Sequence, residues 1–381
     1  MIEENIIENI KEVVPDSKGK VRIIIAGGGT GGHIFPALAI AAALKKQRQD
    51  IEILFVGAKG KMEMEKIPEA GYKIIGLTIA GYNRSSLIKN ISLPFKVAQS
   101  FFQVNGILKA FKPAAVIGVG GYSSFPVLRM AQRRNVPTFI HESNSLPGRS
   151  NIMLAKRATK IFVATEGMEK YFPKDKIVIT GNPVRNIFLE RIPKEQALNF
   201  FGLKSQMKTV FVLGGSLGAK SINETIDKNI GTFKKNKLQL IWQTGKLFAE
   251  QAAKAEVEQN DIWTNAFISR MEYAYAAADV VVARSGAMTI AELSLVGKAS
   301  IFVPYPFAAE DHQAKNAMAL VNKNAAIMVR DSEVQEKLVP TILDLIKDDN
   351  KIAELETNIS ILGNSKADET IANEILNTIK V

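Results

Sequence analysis

Short apolar runs rich in β-branched residues alternate with helical segments along most of the chain. In the first half these runs are VRIIIAG, IEILFVG, AAVIGVG, VPTFIHE, KIFVA and KIVITG. Continuous apolar strands of this kind are typical of parallel sheets whose two faces are covered by helices. The pattern begins again at KTVFVLGG and continues through LQLIWQTG, IWTNAFI, ADVVVARSG, ASIFVPYP and AAIMVR. The sequence therefore predicts an α/β protein with two doubly wound, parallel-sheet units.

A strand, a glycine turn and a helix start occur together twice, in IIIAGGGTGGHIFPALAI and in VFVLGGSLGAKSINETI. This internal echo opens one Rossmann-like unit at each end, and 381 residues suit two cores. We expect an N-terminal extension over residues 1–19, a first domain over 20–186, a second over 187–357 and a C-terminal helix over 358–381. The amphipathic ending ADETIANEILNTI could pack on either domain.

Glycine turns that lead into helices are suited to binding anions. Free backbone N–H groups and the positive end of the helix dipole point at the ligand, and the missing side chains let a phosphate approach. AAVIGVGGYSSFPVLRMA and ADVVVARSGAMTIAEL repeat the arrangement once in each half. In the last of these, Glu292 could reach a ribose diol, or it could be an ordinary glutamate near a helix start.

Two enzyme classes match single motifs. Gly27, Gly29 and Gly32 satisfy the dinucleotide fingerprint, but the next strand ends in Gly57, Ala58 and Lys59 without the acid that would hold a ribose, which argues against NAD. GGSLG matches the nucleophile elbow of α/β-hydrolases, with Asp279 and His312 following in the required order. Because Ser216 follows the first strand of its unit, an elbow is disfavoured there.

Composition limits the chemistry. With no cysteine, disulfides, thiolate nucleophiles and Cys-ligated metals are excluded. The formal net charge is +11, and between residues 70 and 165 Glu142 is the single acid. Such a field suits an anionic partner, either nucleic acid or acidic lipid headgroups, or it is a solubilising face, as scattered lysines usually are. Within it, residues 84–96 alternate apolar and basic side chains, as an interfacial membrane patch or a core helix with solvated ends would. No stretch is long and apolar enough to span a bilayer, and the N-terminus lacks a secretion signal.

The histidines His33, His141 and His312 all lie in loops that follow strands. None pairs with another at metal-ligand spacing, and no D-x-D is present to hold a nucleotide-bound cation, so neither a metal nor a cofactor is expected. His33 ends a phosphate-type loop, and its spacing leaves a general base and a structural role equally open.

Seven motifs occur in one order: GGGTGGHIFPALAIA, GVGGYSSFPV, HESNSLPGRSN, GNPVR, GGSLGA, RSGAMTIAE and EDHQAKNA. Together, over about residues 20–330, they resemble the MurG family within glycosyltransferase family 28. These enzymes add GlcNAc from UDP-GlcNAc to the C4 hydroxyl of undecaprenyl-diphospho-MurNAc-pentapeptide, which converts lipid I to lipid II. The resemblance implies the GT-B fold, two Rossmann-like domains facing a cleft, and an inverting reaction that needs no metal.

Site residues follow from the resemblance, position by position. It implies a donor site that comprises Thr30, Gly31, Gly32, Asn144, Arg185, Ser216, Ile268, Ala287, Met288, Thr289, Ile290, Ala291, Glu292 and Gln313. Ile268 would lie at the uracil and Glu292 at the ribose. It implies acceptor contacts from Gly29, Gly120, Gly121, Tyr122, His141 and Asn151. His33 is the preferred general base and Glu142 the second candidate.

The resemblance also implies a partner surface, since a polyprenyl-linked acceptor lies in the membrane. Residues 84–96 then become a docking patch on the cytoplasmic face of the inner membrane, with no nucleic acid partner. Ser143 stands where the family has glutamine, and Leu217 where glutamine is common, which puts individual polar contacts in doubt. The rival functions are another transferase of this fold, such as a diacylglycerol glycosyltransferase, a UDP-GlcNAc 2-epimerase and a non-catalytic nucleotide-binding subunit.

Overall fold

The computed structural model describes residues 19–80, 93–215, 218–258, 261–308 and 311–380. The chain divides into two compact units. Unit 1 contains the described residues up to Arg185 together with those from Lys366 onward, and unit 2 is Asn186–Ser365.

Unit 1 is built from parallel strands joined by helices. Its strands are β1 (Arg22–Ala26), β2 (Glu52–Ala58), β3 (Lys73–Leu77), β4 (Ala115–Gly118), β5 (Thr138–Glu142), β6 (Lys160–Val163) and β7 (Ile177–Ile179). Its helices are α1 (Gly31–Gln47), α2 (Glu63–Glu69), α3 (Leu93–Phe111), α4 (Ser124–Arg133), α5 (Arg149–Ala155) and, at the C-terminal end, α15 (Ala367–Ile379). Short 3-10 turns cover Met168–Lys170 and Lys174–Lys176.

Among the described residues the sheet of unit 1 has seven parallel strands in the order β3-β2-β1-β4-β5-β6-β7. The order reverses between β1 and β4, because the chain leaves β3 and returns beside β1. Ligands of doubly wound sheets bind beyond the carboxyl ends of the strands at such a reversal. The loops after β1 and β4 therefore lie where this rule places a ligand.

Helix α1 is apolar almost all round because it is covered on two sides. Ile34, Ile40 and Leu44 join a core cluster with β1 and β2, and the same cluster includes Ile371 and Ile375 of α15. Lys46 donates to the Glu369 carboxylate at 2.9 Å, and an ion pair between Lys160 and Glu374 ties α15 to β6. The C-terminal helix, whose placement the sequence left open, thus belongs to unit 1.

Unit 2 repeats the pattern with strands β8 (Lys208–Leu213), β9 (Leu238–Gln243), β10 (Ile262–Asn265), β11 (Val280–Ala283), β12 (Ser300–Phe302) and β13 (Ile327–Met328). Its helices are α6 (Lys194–Phe200), α7 (Lys220–Lys228), α8 (Ile230–Lys235), α9 (Ala249–Glu258), α10 (Met271–Ala277), α11 (Ala287–Val296), α12 (His312–Val321), α13 (Val334–Lys347) and α14 (Asp349–Ser360). 3-10 turns cover Asn186–Leu189 and Asp331–Glu333.

Within the part of unit 2 that is described, six parallel strands follow the order β10-β9-β8-β11-β12-β13, so the reversal lies between β8 and β11. Trp242 and Phe211 are fully buried in this sheet. The predicted pair of doubly wound parallel-sheet units is confirmed. The sequence patterns missed β3, a short edge strand in which only Leu77 is fully buried.

None of the helices in the described ranges combines the length and the apolar character that crossing a membrane requires.

Candidate active site

Two glycine loops of unit 1 contact each other at the reversal point. A Cβ on Gly27 would lie 2.6 Å from the carbonyl oxygen of Gly120, and a Cβ on Gly121 would lie 2.5 Å from that of Gly28. Both distances are far inside van der Waals contact, so each loop needs glycine for the other to approach. The loops after β1 and β4 therefore form one packed surface of main-chain groups.

His33 lies at the start of α1 with its ring against this surface. Its Nδ1 is 3.0 Å from the carbonyl oxygen of Gly28 and 3.5 Å from Thr30 Oγ1. A carbonyl can only accept, so the shorter contact places the proton of the neutral ring on Nδ1 and leaves the lone pair on Nε2. A Cβ on Gly120 would lie 2.7 Å from Nε2, so glycine at 120 makes room for that edge of the ring. The arrangement suits a base that acts through Nε2.

Glu63 is a buried carboxylate beneath the first glycine loop that the sequence patterns did not single out. Its side chain is 1% exposed, and its two oxygens accept from the N–H groups of Gly29 at 2.8 Å and Ala58 at 3.0 Å. No local feature of KGKMEMEK distinguishes it from Glu65. Its contact with Gly29 comes from a loop thirty-four residues earlier, and sequence spacing cannot show it.

His141 lies on β5 and is fully buried. Burial, and to a smaller extent the nearby His33, lowers its pKa to about 4, whereas a hydrogen bond with the backbone of Gly181 acts in the opposite direction. Its Nδ1 is 3.5 Å from the hydroxyl of Ser143. His141 is therefore neutral at physiological pH and cannot serve as a cation for a diphosphate.

Glu142 is the hub of the loop between β5 and α5. It is 4% exposed, and its carboxylate accepts from Asn144 N at 3.1 Å, Asn144 Nδ2 at 3.3 Å, Gly148 N at 3.0 Å and Asn151 Nδ2 at 2.8 Å. Four donors occupy both oxygens. This geometry favours His33 over Glu142 as the base. The hydrogen bonds of Glu142 instead stabilise the conformation of the loop.

Two further unit 1 candidates lie on flanking segments. The guanidinium of Arg185 lies 5.1 Å from the ring centroid of Phe35 on α1, a cation–π arrangement. Tyr122 belongs to the second glycine loop, where burial and the charge of Glu63 raise the pKa of its phenol. Both side chains belong to segments at the carboxyl edge of the first sheet.

In unit 2 the start of α11 lies at the corresponding reversal. The helix begins at Ala287 after Gly286, so its N-terminus and the positive end of its dipole lie just beyond β11. Ser285 is fully buried and donates to the carbonyl oxygen of Gln313 at 2.8 Å, while Gln313 Oε1 accepts from Tyr305 N at 2.9 Å. These bonds join the start of α11 to the start of α12.

Glu292, farther along α11, accepts a hydrogen bond from Tyr275 Oη at 2.9 Å. Tyr275 is 1% exposed and packs its ring against Phe211 and Phe188. Its hydroxyl is thus fixed and orients the carboxylate. Ile268 is 2% exposed, and its N–H donates to Gln243 Oε1 at 2.9 Å.

Arg284 joins the ends of several elements of unit 2. It donates to the carbonyl oxygens of Val303 and Pro304, both at 3.1 Å, to Asp331 at 2.5 Å and to Ser221 Oγ at 3.0 Å. These partners follow β12, precede α13 and begin α7. Arg284 therefore cross-links the segments that surround the start of α11.

Family models match both halves of the chain. The glycosyltransferase family 28 N-terminal domain matches residues 23–163, and the glycosyltransferase family 28 C-terminal domain matches residues 209–374. The chain belongs to glycosyltransferase family 28.

Similar curated members of family 28 come from Parabacteroides distasonis and Bacteroides fragilis. Both are named UDP-N-acetylglucosamine–N-acetylmuramyl-(pentapeptide) pyrophosphoryl-undecaprenol N-acetylglucosamine transferase. They are 49% and 48% identical to this chain, over 94% and 97% of it and 99% and 98% of their own length. Among solved structures, Acinetobacter baumannii MurG is 26% identical with a TM-score of 0.75, covering 94% of this chain and 99% of its own. The MurG resemblance is confirmed.

UDP-GlcNAc 2-epimerase from Neisseria meningitidis, solved with UDP-GlcNAc bound, matches 93% of this chain and 99% of its own with a TM-score of 0.66. At 14% identity this likeness shows the fold alone.

Ser216, Asp279 and His312 follow the order of a hydrolase triad in sequence, but the geometry does not support such a triad. Asp279 precedes β11, at the amino end of the sheet, where it accepts from Thr209 N at 2.8 Å and Lys194 at 2.6 Å. His312 begins α12, after the carboxyl end of β12. The two side chains lie at opposite ends of the strands, so they cannot serve one nucleophile.

Each family 28 candidate can be located except one. Ser216 lies outside the described residues, as does the Leu217 departure. Of the unit 1 candidates, the glycine loops, His33 and the β5–α5 loop gather at the carboxyl edge of the first sheet; those of unit 2 gather at the carboxyl edge of the second. Within the described ranges, no cluster of three or more His, Asp or Glu side chains could hold a metal ion.

Proposed function

We propose that this chain transfers GlcNAc from UDP-GlcNAc to the C4 hydroxyl of MurNAc in undecaprenyl-diphospho-MurNAc-pentapeptide, with inversion at C1. Curated relatives at nearly half identity over almost their full length are named for this donor, this acceptor and the transfer of N-acetylglucosamine. The reaction converts lipid I to lipid II and places the protein in peptidoglycan synthesis, and so in the maintenance of cell shape and in division. Epimerisation of UDP-GlcNAc is not favoured, because the Neisseria meningitidis 2-epimerase shares only the fold with this chain, at 14% identity.

The observation that carries the mechanism is the 3.0 Å contact between His33 Nδ1 and the carbonyl oxygen of Gly28, from which the tautomer of His33 is inferred. Nε2 holds the lone pair and accepts the proton of the C4 hydroxyl as the oxygen attacks C1 of the sugar. The bond between C1 and the UDP oxygen breaks, and UDP leaves. General-base assistance of this kind contributes roughly 10²–10⁴-fold to a rate.

The donor is assigned to unit 2 in this proposal. Backbone N–H groups at the start of α11 would meet the charge that develops on the diphosphate, and Glu292 would accept from the ribose hydroxyls. Preorganised dipoles of this kind stabilise a leaving group without reorganising during the reaction.

Transfer of labelled GlcNAc to lipid I, with and without chelator, tests the proposal. We expect transfer in both conditions, and His33→Ala should lower kcat by at least about 100-fold while UDP-GlcNAc affinity measured by calorimetry stays within about twofold. Arg48→Ala, on the surface at the far end of α1, is the matched control. Normal turnover by His33→Ala would show that the base is elsewhere. Sugar transfer to diacylglycerol instead of lipid I, or epimerisation without acceptor, would identify a rival function.

We also propose that unit 1 docks on the cytoplasmic face of the inner membrane. Phe95 and Phe102 of α3 are 78% and 72% exposed, and Met153 of α5 is 67% exposed. Helix α4 packs against both α3 and α5 and joins them into one helical layer. This surface lies in the stretch with a single acid, where apolar burial and attraction to anionic lipid act together. Residues 84–92 of the expected patch lie outside the described residues.

Co-sedimentation with vesicles tests the docking surface. Phe95→Ser/Phe102→Ser should weaken binding to phosphatidylglycerol vesicles at least about thirtyfold, since each of the two buried aromatic side chains contributes more than 1 kcal/mol. The control Leu247→Ser removes a side chain of unit 2 that is 96% exposed. Equal binding by all three proteins would contradict this surface.

A further inference from the structure

The carboxylate of Glu63 and the ring of His33 contact the two ends of one peptide group. Glu63 Oε2 accepts from the N–H of Gly29 at 2.8 Å. The carbonyl oxygen of Gly28, which belongs to the same peptide, accepts from His33 Nδ1 at 3.0 Å. Carboxylate, peptide and imidazole therefore form one continuous line of hydrogen bonds.

The surrounding residues leave room for this line. A Cβ on Gly28 would lie 2.3 Å from the carboxyl carbon of Glu63, and a Cβ on Gly57 would lie 2.5 Å from its Cγ. Glycine at both positions is what allows the side chain to enter. The second oxygen of Glu63 is held by Ala58 N at 3.0 Å, which fixes the plane of the carboxylate.

We propose that Glu63 is a positioning residue that orients and polarises His33 through the peptide group between Gly28 and Gly29. This proposal rests on the proposed function, in which His33 is the base. A carboxylate that accepts from a peptide N–H makes the carbonyl oxygen of that peptide a stronger acceptor, because hydrogen bonds in a chain polarise one another.

The consequence for catalysis concerns the protonated ring. When Nε2 takes the proton of the sugar hydroxyl, the imidazolium keeps its other proton on Nδ1, directed at Gly28 O. The negative charge of Glu63 then stabilises the positive ring through the intervening peptide. In serine hydrolases a carboxylate performs this task by direct contact with the ring. Here a main-chain amide carries it.

Other titratable groups facing the loop do not replace this charge. Tyr122 comes from the loop after β4, and its raised pKa keeps it neutral. His141 comes from β5, and its lowered pKa keeps it neutral as well. The guanidinium of Arg185 lies over Phe35 of α1, the helix that carries the base. It is a cation and cannot supply the negative charge.

Steady-state transfer to lipid I by Glu63→Gln, measured across pH, tests the inference. We expect kcat to fall about tenfold with the KM for UDP-GlcNAc within about twofold, because the change touches the base and not the donor. Loss of the negative charge lowers the pKa of the ring, so the acid limb of kcat/KM should move to lower pH. Glu65→Gln, an exposed carboxylate of the same helix, is the matched control and should behave as wild type.

A double variant separates a relay from a general effect on the fold. If Glu63 acts through His33, Glu63→Gln should cost nothing further in the His33→Ala background. Additive losses would overturn the inference. If His33→Ala itself turns over normally, the proposed base and the relay both fail; if His33→Ala is inactive and Glu63→Gln matches Glu65→Gln, the relay alone fails.

The tautomer can also be read without any assay of activity or any variant. The sequence holds three histidines, so ¹⁵N-histidine labelling of the full chain gives few signals. Neutral His33 should carry its proton on Nδ1. A neutral ring protonated on Nε2 would break the line of hydrogen bonds and overturn the inference, whether or not the Gln variant folds.

Discussion

Replacing Gly121 by alanine should destabilise unit 1 through the contact between its two glycine loops. Gly121 has a φ of +82°, and a Cβ there would lie 2.5 Å from the carbonyl oxygen and 3.2 Å from the nitrogen of Gly28. Both neighbours are backbone atoms, so no side chain can turn away to relieve the clash. Gly60→Ala is the matched control, since Gly60 has a φ of +70° and nothing within 4 Å of its Cβ position.

The magnitude follows from separating the two effects. A left-handed conformation costs an L-residue about 1–2 kcal/mol, and both variants carry this cost. Gly121→Ala must in addition move one loop by about 1 Å, which overpacking data place at about 1–3 kcal/mol. We therefore expect a destabilisation of about 2–5 kcal/mol for Gly121→Ala and about 1–2 kcal/mol for Gly60→Ala.

Urea unfolding followed by far-UV circular dichroism measures the difference. Both tryptophans, Trp242 and Trp263, lie in unit 2, so their fluorescence follows the other unit in the same sample. The loss should therefore be larger by circular dichroism than by fluorescence where the units unfold separately. Equal destabilisation by Gly121→Ala and Gly60→Ala would refute the close contact between the loops.

Three further outcomes are expected. Tyr275→Phe removes a hydrogen bond to the Glu292 carboxylate, so it should raise the KM for UDP-GlcNAc about tenfold and reduce discrimination against a 2′-deoxyribose donor. The neighbouring Tyr273→Phe should leave both quantities unchanged. Unchanged discrimination by Tyr275→Phe would contradict the role of this hydrogen bond. Because the pKa of His141 falls to about 4 in the fold, the unfolded chain protonates first as pH drops, so stability should decrease by about 2 kcal/mol from pH 7 to pH 5, and His141→Asn should remove this dependence in urea titrations. Arg284→Lys keeps the charge but not the branched donor set, so donor KM should rise about tenfold, and wild-type kinetics would show that the cross-link has no role.

Much of the fold follows from local sequence signals. Runs such as RIIIA and KTVFVL are buried on both faces of a parallel sheet, and their composition alone indicates this. Glycine turns mark the strand ends at which the candidate residues gather. The edge strand β3 was missed because KIIGL is only partly buried and carries a weaker signal.

The candidate site was less accessible to sequence reasoning, because its decisive contacts join distant segments. Glu63 meets a loop thirty-four residues away, and Tyr275 meets Glu292 across two elements. Neither residue type is rare, and neither stands at a marked spacing. The hydrogen-bond partners of Glu142 were equally invisible, although the residue itself was identified.

The placement of α15 has a consequence for biosynthesis. This helix covers α1 and completes the apolar interior of unit 1, yet its codons come after all of those for unit 2. On the ribosome, the first sheet emerges early but stays partly uncovered until α15 has been made, whereas unit 2 is contiguous and can close sooner. Maturation should therefore run against gene order, with the earliest-made half the last to be sealed.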